Sequence, residues 1–320
     1  MDQPRLLRQK LRNLAQSLIL VCAMALLCGY LAWLIGGVTF AITALVLVMS
    51  GYLFVPMVSQ RLVEHLYRGQ QIPAIAAPRL HSINQALAER AGLPRPPTLL
   101  YIPSDVMNAF ATGSRDNALI ALSDGLLRGL DLRELTAVMA HEMSHIEHQD
   151  LRVMGFADLV SRITGLLSII GQLLLLVNLP LLMFSDYHID WLPIIILLLA
   201  PTLTTLIQLA LSRNREYEAD LNATILTGDP EGLALALSRM ERYQGRIVEQ
   251  LLFPGQHIPE PSILRSHPPT EERIARLLEL RGSQEHTPGR RLDVPDHDHR
   301  IDGLSPTRIK PRWHRNGLWY

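Results

Sequence analysis

Four stretches of this chain, residues 17–36, 38–58, 163–184 and 191–211, are almost wholly apolar. Each is close to the roughly twenty residues that an α-helix needs to cross the hydrocarbon core of a bilayer. Nothing else in the sequence constrains folding as much. A backbone facing lipid can satisfy its N–H and C=O groups only within a helix or a closed barrel. The stretches form two pairs. Arg5, Arg8, Lys10 and Arg12 precede the first pair, and Arg61 and Arg68 follow it. The second pair is joined by Ser185-Asp186-Tyr187-His188-Ile189-Asp190, which has acids but no Lys or Arg. Its outer flanks carry Arg152 and Arg162 on one side, Arg213 and Arg215 on the other. Basic flanks mark the cytoplasmic side, so the pattern predicts two transmembrane helical hairpins whose four ends are all cytoplasmic. A cleaved signal peptide is the other reading of the first stretch. Its length, and a second span that follows at once, argue against that. For the second pair the other reading is a buried hairpin in a soluble protein, which its length and apolarity disfavour. Pro180, Pro193 and Pro201 predict kinks or breaks.

Composition agrees. Of 320 residues, 48% are hydrophobic, which points to an integral membrane protein with a soluble part. The formal net charge is +0, so there is no global case for binding nucleic acid. The two cysteines, Cys22 and Cys28, lie together in the first apolar stretch and can build neither a disulfide framework nor a Cys-rich zinc site. A metal here must be held by His and carboxylates.

Those residue types converge at His141-Glu142-Met143-Ser144-His145, an H-E-x-x-H pattern. Asp131 and Glu134 form a capping-box start, and Leu132, Leu135, Val138 and Met139 supply an apolar helical face. On such a helix residues i and i+4 share a face, so both imidazoles can reach one zinc ion. Glu142 lies between them, placed to take a proton from a metal-activated water. A helix is also expected over 77–91, strands over 97–102 and 117–122, and helices from Arg213, over 230–243 and over 271–280. The chain reads as mainly α with a small β-sheet. A catalytic zinc usually takes a third protein ligand. Glu216 is the best placed, with Asp220 one turn on to accept a hydrogen bond from a ligand histidine and fix its tautomer. Spacing alone leaves open that these two acids are a solvated helical face beside Arg213 and Arg215. His148 shares the histidine face but lacks the glycine turn and later histidine of the metzincin pattern. Asp296-His297-Asp298-His299 reads as an exposed polar tail.

The H-E-M-S-H pattern, followed across an apolar hairpin by Ser212-Arg213-Asn214-Arg215-Glu216-Tyr217-Glu218-Ala219-Asp220, resembles the HtpX group of membrane zinc metalloproteases, relatives of the CAAX-prenyl endopeptidases. Asn108-Ala109-Phe110-Ala111-Thr112-Gly113 resembles the N-A-F-A-x-G element of that group. Ser266-His267-Pro268-Pro269-Thr270-Glu271-Glu272-Arg273-Ile274 resembles its S-H-P-P-x-x-x-R-I element. The likeness runs over about residues 15 to 280, and the sequence departs from the compact family pattern beyond Arg281. The resemblance implies a zincin-like (gluzincin) protease domain, one zinc per chain held by His141, His145 and Glu216, Glu142 as catalytic base, and Asp220 supporting a ligand.

The expected organisation is a membrane hairpin over 1–60, protease segments over 61–158 and 212–280, a second hairpin over 159–211, and a flexible tail over 281–320. The expected activity is cleavage of misfolded or damaged membrane proteins, in a bacterial inner membrane with the site facing the cytoplasm. The partners are polypeptide substrates and the bilayer, with no nucleic acid. His267 is the candidate donor to the tetrahedral oxyanion, the other reading being a loop histidine capping the next helix. Asn108, Ala109 and Phe110, with strand 117–122, are expected to offer an edge to an extended substrate. Alternatives are a prenyl-protein processing protease and a non-proteolytic zinc-stabilised adaptor. The adaptor has no need of Glu142.

Overall fold

Strand-forming residues around 100 and 120 build the sheet on which the histidine-bearing helix rests. The computed structural model describes residues 3–54, 67–184, 191–252, 269–284 and 292. They divide into two compact units. The first draws on Met1–Leu6, Met57–Leu151 and Arg215–Tyr320, and the second on Leu7–Pro56 and Arg152–Asn214.

In the first unit, strands β1 (Gln70–Gln71), β2 (Thr98–Ile102), β3 (Ala109–Ser114) and β4 (Asn117–Ser123) form a mixed sheet in the order β1-β2-β4-β3. β2 and β4 run parallel, and the outer pairings are antiparallel. Alternation of side chains sorts the apolar run into two faces. Leu99, Tyr101, Ile120 and Leu122 join the main core, while Leu100, Ile102, Leu119 and Ala121 form a second cluster with Tyr67 and Phe110. With both faces covered, β4 reads as a continuous apolar run rather than an alternating one. Among the described residues β4 is paired on both sides, so the expected substrate edge at 117–122 is covered and β3 is the outer strand on that side.

Helix α2 (Pro78–Arg90) packs into the main core through Leu80, Ile83 and Leu87. After a short α3 (Asp124–Gly129) comes α4 (Leu132–Glu147). The Asp131 side chain accepts from the Glu134 N–H, and the Glu134 side chain accepts from the Asp131 N–H, which completes the capping box. Leu135, Val138, Met139, Met143 and Ile146 are all buried. α4 packs on β3 and β4.

Helices α5 (Asp150–Phe184) and α6 (Trp191–Thr227) carry residues of both units. No separate helix begins at Arg213. The helix that starts at Trp191 runs on without a break to Thr227, because no Gly or Pro interrupts 202–227. Gly228 ends it with a left-handed φ of 69° that glycine adopts freely. α7 (Pro230–Leu252) and α8 (Thr270–Gln284) follow and pack on each other. α8 runs past residue 280, and Leu292 N–H donates to Thr227 O at 3.0 Å, so the segment after 281 has an attachment point on the core. Arg133 of α4 pairs with Asp229 and, at 3.2 Å, with Glu231, which ties α4 to the start of α7.

The second unit is helical. Its first element, α1 (Gln3–Phe54), leaves helical geometry at Gly36 and at Gly37, whose φ is 69°. Met24, Cys28 and Ala32 before that break share a core cluster with Ala44 and Val48 after it. Among the described residues, three helical segments are long and apolar enough to cross a membrane: Leu18–Ser50, Arg152–Pro180 and Trp191–Thr227. Their large apolar side chains are widely exposed, among them Leu26, Val46, Leu166, Val177, Leu192 and Leu199. Such a continuous apolar exterior is the mark of a lipid-facing surface. Pro180 and Pro201 lie within helices rather than breaking them. Pro201 has no N–H for the carbonyl of Leu197, four residues back. Ser168 Oγ donates to that carbonyl at 2.5 Å. Pro193 stands in the first turn of α6, where no donor is lost.

Candidate metal centre

The buried apolar stripe of α4 fixes the roll of the helix and turns one histidine pair inward. His141 is buried and His145 half-buried. Their Nε2 atoms converge to 3.2 Å. The Glu216 carboxylate enters from α6, with Oε2 3.4 Å from His141 Nε2 and Oε1 3.9 Å from His145 Nε2. Ligand atoms at 2.0–2.1 Å from a tetrahedral zinc stand roughly 3.3 Å apart, so these three atoms outline a face of such a polyhedron. Among the described residues, His141, His145 and Glu216 form the group of metal-ligating side chains that could hold an ion.

The far nitrogens decide what the near ones can do. His141 Nδ1 stands 3.0 Å from Asp220 Oδ1, and His145 Nδ1 stands 2.9 Å from Asp150 Oδ2. A carboxylate at Nδ1 places the ring proton there and leaves a lone pair on Nε2. Two such lone pairs and a carboxylate then face one another across little more than 3 Å, an arrangement that a cation between them stabilises. The residues therefore fit zinc. With no cation bound, protons fill that role. Burial pulls the His141 pKa down, but Asp220 and Glu216 overcome it and hold the imidazole at about 10. For His145 burial also lowers the pKa, while Asp150 outweighs it and the net shift is upward. Metal must displace these protons.

Arg273 and Arg215 reach the centre, where no local sequence pattern places them. Arg273 of α8 is buried, with Nε 2.7 Å from Asp220 Oδ2, a terminal nitrogen 2.6 Å from Oδ1 and the other 3.2 Å from Glu216 Oε2. The S-H-P-P-x-x-x-R-I element contained Arg273 but did not say what it touches. Arg276 of the same helix stacks over the Tyr217 ring at 3.7 Å. Arg215 stands 3.0 Å from Asp150 Oδ1. No sequence pattern marks Asp150, which meets His145 through the turn at Gln149.

Glu142 is half-buried next to His141 and is turned about 100° away from it around the helix. His148 caps α4 with Nδ1 3.0 Å from Ser144 O and does not join the ligand group. Asn108 is exposed; its N–H donates to Ser123 Oγ and its carbonyl accepts from the Ser123 N–H. Ala109 lies half-buried against the main core. Phe110 points to the opposite face of the sheet, its ring 5.1 Å from that of Tyr67. Of the three, Phe110 therefore has its side chain on the face away from α4. His267, His65 and the Asp296–His299 cluster lie outside the described residues.

The profile described as peptidase family M48 matches residues 74–281. A protein named protease HtpX homolog from Methylibium petroleiphilum is 34% identical over 291 residues, covering 84% of this chain and 98% of its own length. The protein of the same name from Paraburkholderia phytofirmans is 35% identical over 286 residues, covering 84% and 97%. Among solved structures, the crystal structure of S. mikatae Ste24p aligns with a TM-score of 0.46 at 20% identity, over 85% of this chain and 67% of that one.

Proposed function

Because this chain belongs to peptidase family M48 and is a membrane metalloprotease, we propose that it is a zinc endopeptidase that removes misfolded or damaged membrane proteins. The observation that carries the reading is the convergence of His141 Nε2, His145 Nε2 and the Glu216 carboxylate to 3.2–3.9 Å, each histidine backed by a carboxylate on its far nitrogen. These three residues would hold one zinc per chain in a zincin-like site. When bound, zinc would polarise the scissile carbonyl and make water more acidic.

The rest of the chemistry belongs to the protein. Glu142 takes a proton from the attacking water and delivers it to the leaving amine nitrogen. Asp220 holds His141 in the tautomer that presents Nε2. His267 donates to the oxyanion of the tetrahedral intermediate. The outer edge of β3 receives an extended substrate by strand addition, with Ala109 offering backbone groups there, since those of Asn108 are held by Ser123. Recognition of backbone rather than side chains suits broad specificity. The basic flanks of the apolar segments support two transmembrane hairpins that leave both halves of the site on the cytoplasmic side of a bacterial inner membrane.

Metal analysis and a cleavage assay on an unfolded membrane-protein substrate test this reading. Purified protein should contain one zinc, and chelation should abolish cleavage until zinc is restored. Glu142→Gln should keep its zinc and lose about a hundred- to ten-thousandfold in turnover. Wild-type turnover in that variant would end the mechanism. Substrates should accumulate in membranes carrying Glu142→Gln and not in those with active protein. In the same assay His267→Ala should lower the catalytic rate about a hundred- to a thousandfold with zinc retained, and a normal rate would remove His267 from the site.

A further inference from the structure

The chain between the second histidine and the next helix does more than connect. α4 ends at Glu147, and Gln149 then takes a φ of 55°, a left-handed conformation uncommon for a residue other than glycine. With that turn Asp150, the first residue of α5, comes back onto the last turn of α4. One of its oxygens meets His145 Nδ1 at 2.9 Å and the other meets an Arg215 terminal nitrogen at 3.0 Å. Arg215 is the residue before Glu216 on α6, and it also stands 3.6 Å from Glu218. Asp150, Arg215 and Glu218 are 3%, 7% and 6% exposed.

Resting on the zinc reading above, we propose that Asp150 is the positioning residue for His145 and that Arg215 anchors it, so that one buried ion pair sets the second and third metal ligands relative to each other. The path is continuous: imidazole, Asp150 carboxylate, Arg215 guanidinium, and then one peptide bond to the backbone that carries Glu216. A buried ion pair is weak evidence of stabilisation, because apolar replacements of similar volume are often neutral or better. Orientation of a ligand is a reason to keep one. A carboxylate on the outer nitrogen of a metal-bound histidine fixes its tautomer and ring angle, and the loss of such a partner typically weakens metal binding about ten- to a hundredfold. Asp150 serves His145 as Asp220 serves His141, and each aspartate has its own buried arginine.

The test uses the full chain in detergent and reads three quantities. These are zinc dissociation constant by chelator competition, the visible spectrum of the cobalt-substituted protein, and melting temperature of the metal-free form. Asp150→Asn preserves volume. It should weaken zinc about ten- to a hundredfold in the folded fraction and shift the cobalt bands, whatever the lost ion pair takes from the metal-free melting temperature, since Arg215 keeps Glu218 at 3.6 Å. Arg215→Lys should move zinc affinity and spectrum the same way by less. The double variant should be no worse than Asp150→Asn alone, since the two residues act as a unit. If Asp150→Asn lowers the melting temperature and the folded fraction binds zinc normally, the pair is structural and the proposal fails. Should Asp150→Asn not fold, Arg215→Lys decides: native zinc affinity and spectrum there overturn the proposal. Glu216→Ala is the control for the underlying reading. Loss of zinc there with native affinity in Asp150→Asn overturns only the positioning role, and native affinity in both overturns the centre itself.

Discussion

In the unit that holds the histidines, many of the polar side chains that leave solvent are ionisable and paired: Asp220 with Arg273, Asp150 with Arg215, Glu134 with Arg239. In the helical unit the fully buried polar side chains among the described residues are hydroxyls, Thr164, Ser168 and Thr204. Ser168 and Thr204 turn onto backbone carbonyls. The two units face different solvents. A protein interior bounded by water tolerates an ion pair if every partner is present, whereas a helix fit to lie in lipid can afford little beyond repair of its own backbone. Among the described residues, charge is buried near the candidate ligands and the helix that carries the histidines.

The largest test of that contrast is Asp220→Ala. It takes from the buried Arg273 guanidinium its two-pronged partner and leaves it only Glu216 at 3.2 Å, and removing one member of a buried pair typically costs about 3–5 kcal/mol. Denaturation of the metal-free variant should show the loss, and an unchanged melting temperature would mean that the paired charges are incidental. A smaller effect follows from His141. Its metal-free pKa, about 10, lies above the ordinary value of 6.5. A raised pKa contributes stability that is complete below about pH 6.5 and is lost as pH rises through 10. Chelated protein should therefore melt at falling temperature between those limits. Zinc-loaded protein should not follow it, because binding has already removed the proton. Parallel melting curves for both forms would place His141 away from the metal. The smallest effect belongs to the helical unit. Ser168→Ala should cost about 1 kcal/mol by leaving the Leu197 carbonyl without a donor, with zinc content unchanged. A loss of zinc in that variant would erase the distinction between the units.

Local rules made much of this molecule legible in its sequence. The capping box at Asp131 and Glu134 placed the start of α4, its apolar period placed the roll, and the i, i+4 spacing placed both histidines on one face. Spacing made Glu216 a candidate and the resemblance chose it, because a carboxylate near two arginines looks like a solvated surface until it and Arg215 are known to be buried. What stayed hidden depends on distant or irregular geometry. Arg273 meets Asp220 across 53 residues of sequence. Asp150 reaches His145 only through a left-handed Gln149, a conformation that no sequence rule assigns to glutamine. The place of β4 inside the sheet follows from a parallel pairing with β2 that local pattern does not encode. The unbroken course of α6 past Arg213 was missed because an abrupt change from apolar to charged residues reads as an end, although it breaks no backbone hydrogen bond.

The bond from Ser168 to the carbonyl that Pro201 leaves bare has a bearing on how the chain is made. Synthesis proceeds from the N-terminus, so Ser168 leaves the ribosome before Leu197 does. The donor helix is thus available when the acceptor helix reaches the bilayer. On its own, the segment around Pro201 would carry that carbonyl into hydrocarbon without this donor, the same loss of about 1 kcal/mol that Ser168→Ala measures. Beside α5 the donor is in place. Order of emergence is then part of the design: this segment should insert more efficiently after its partner than when presented first.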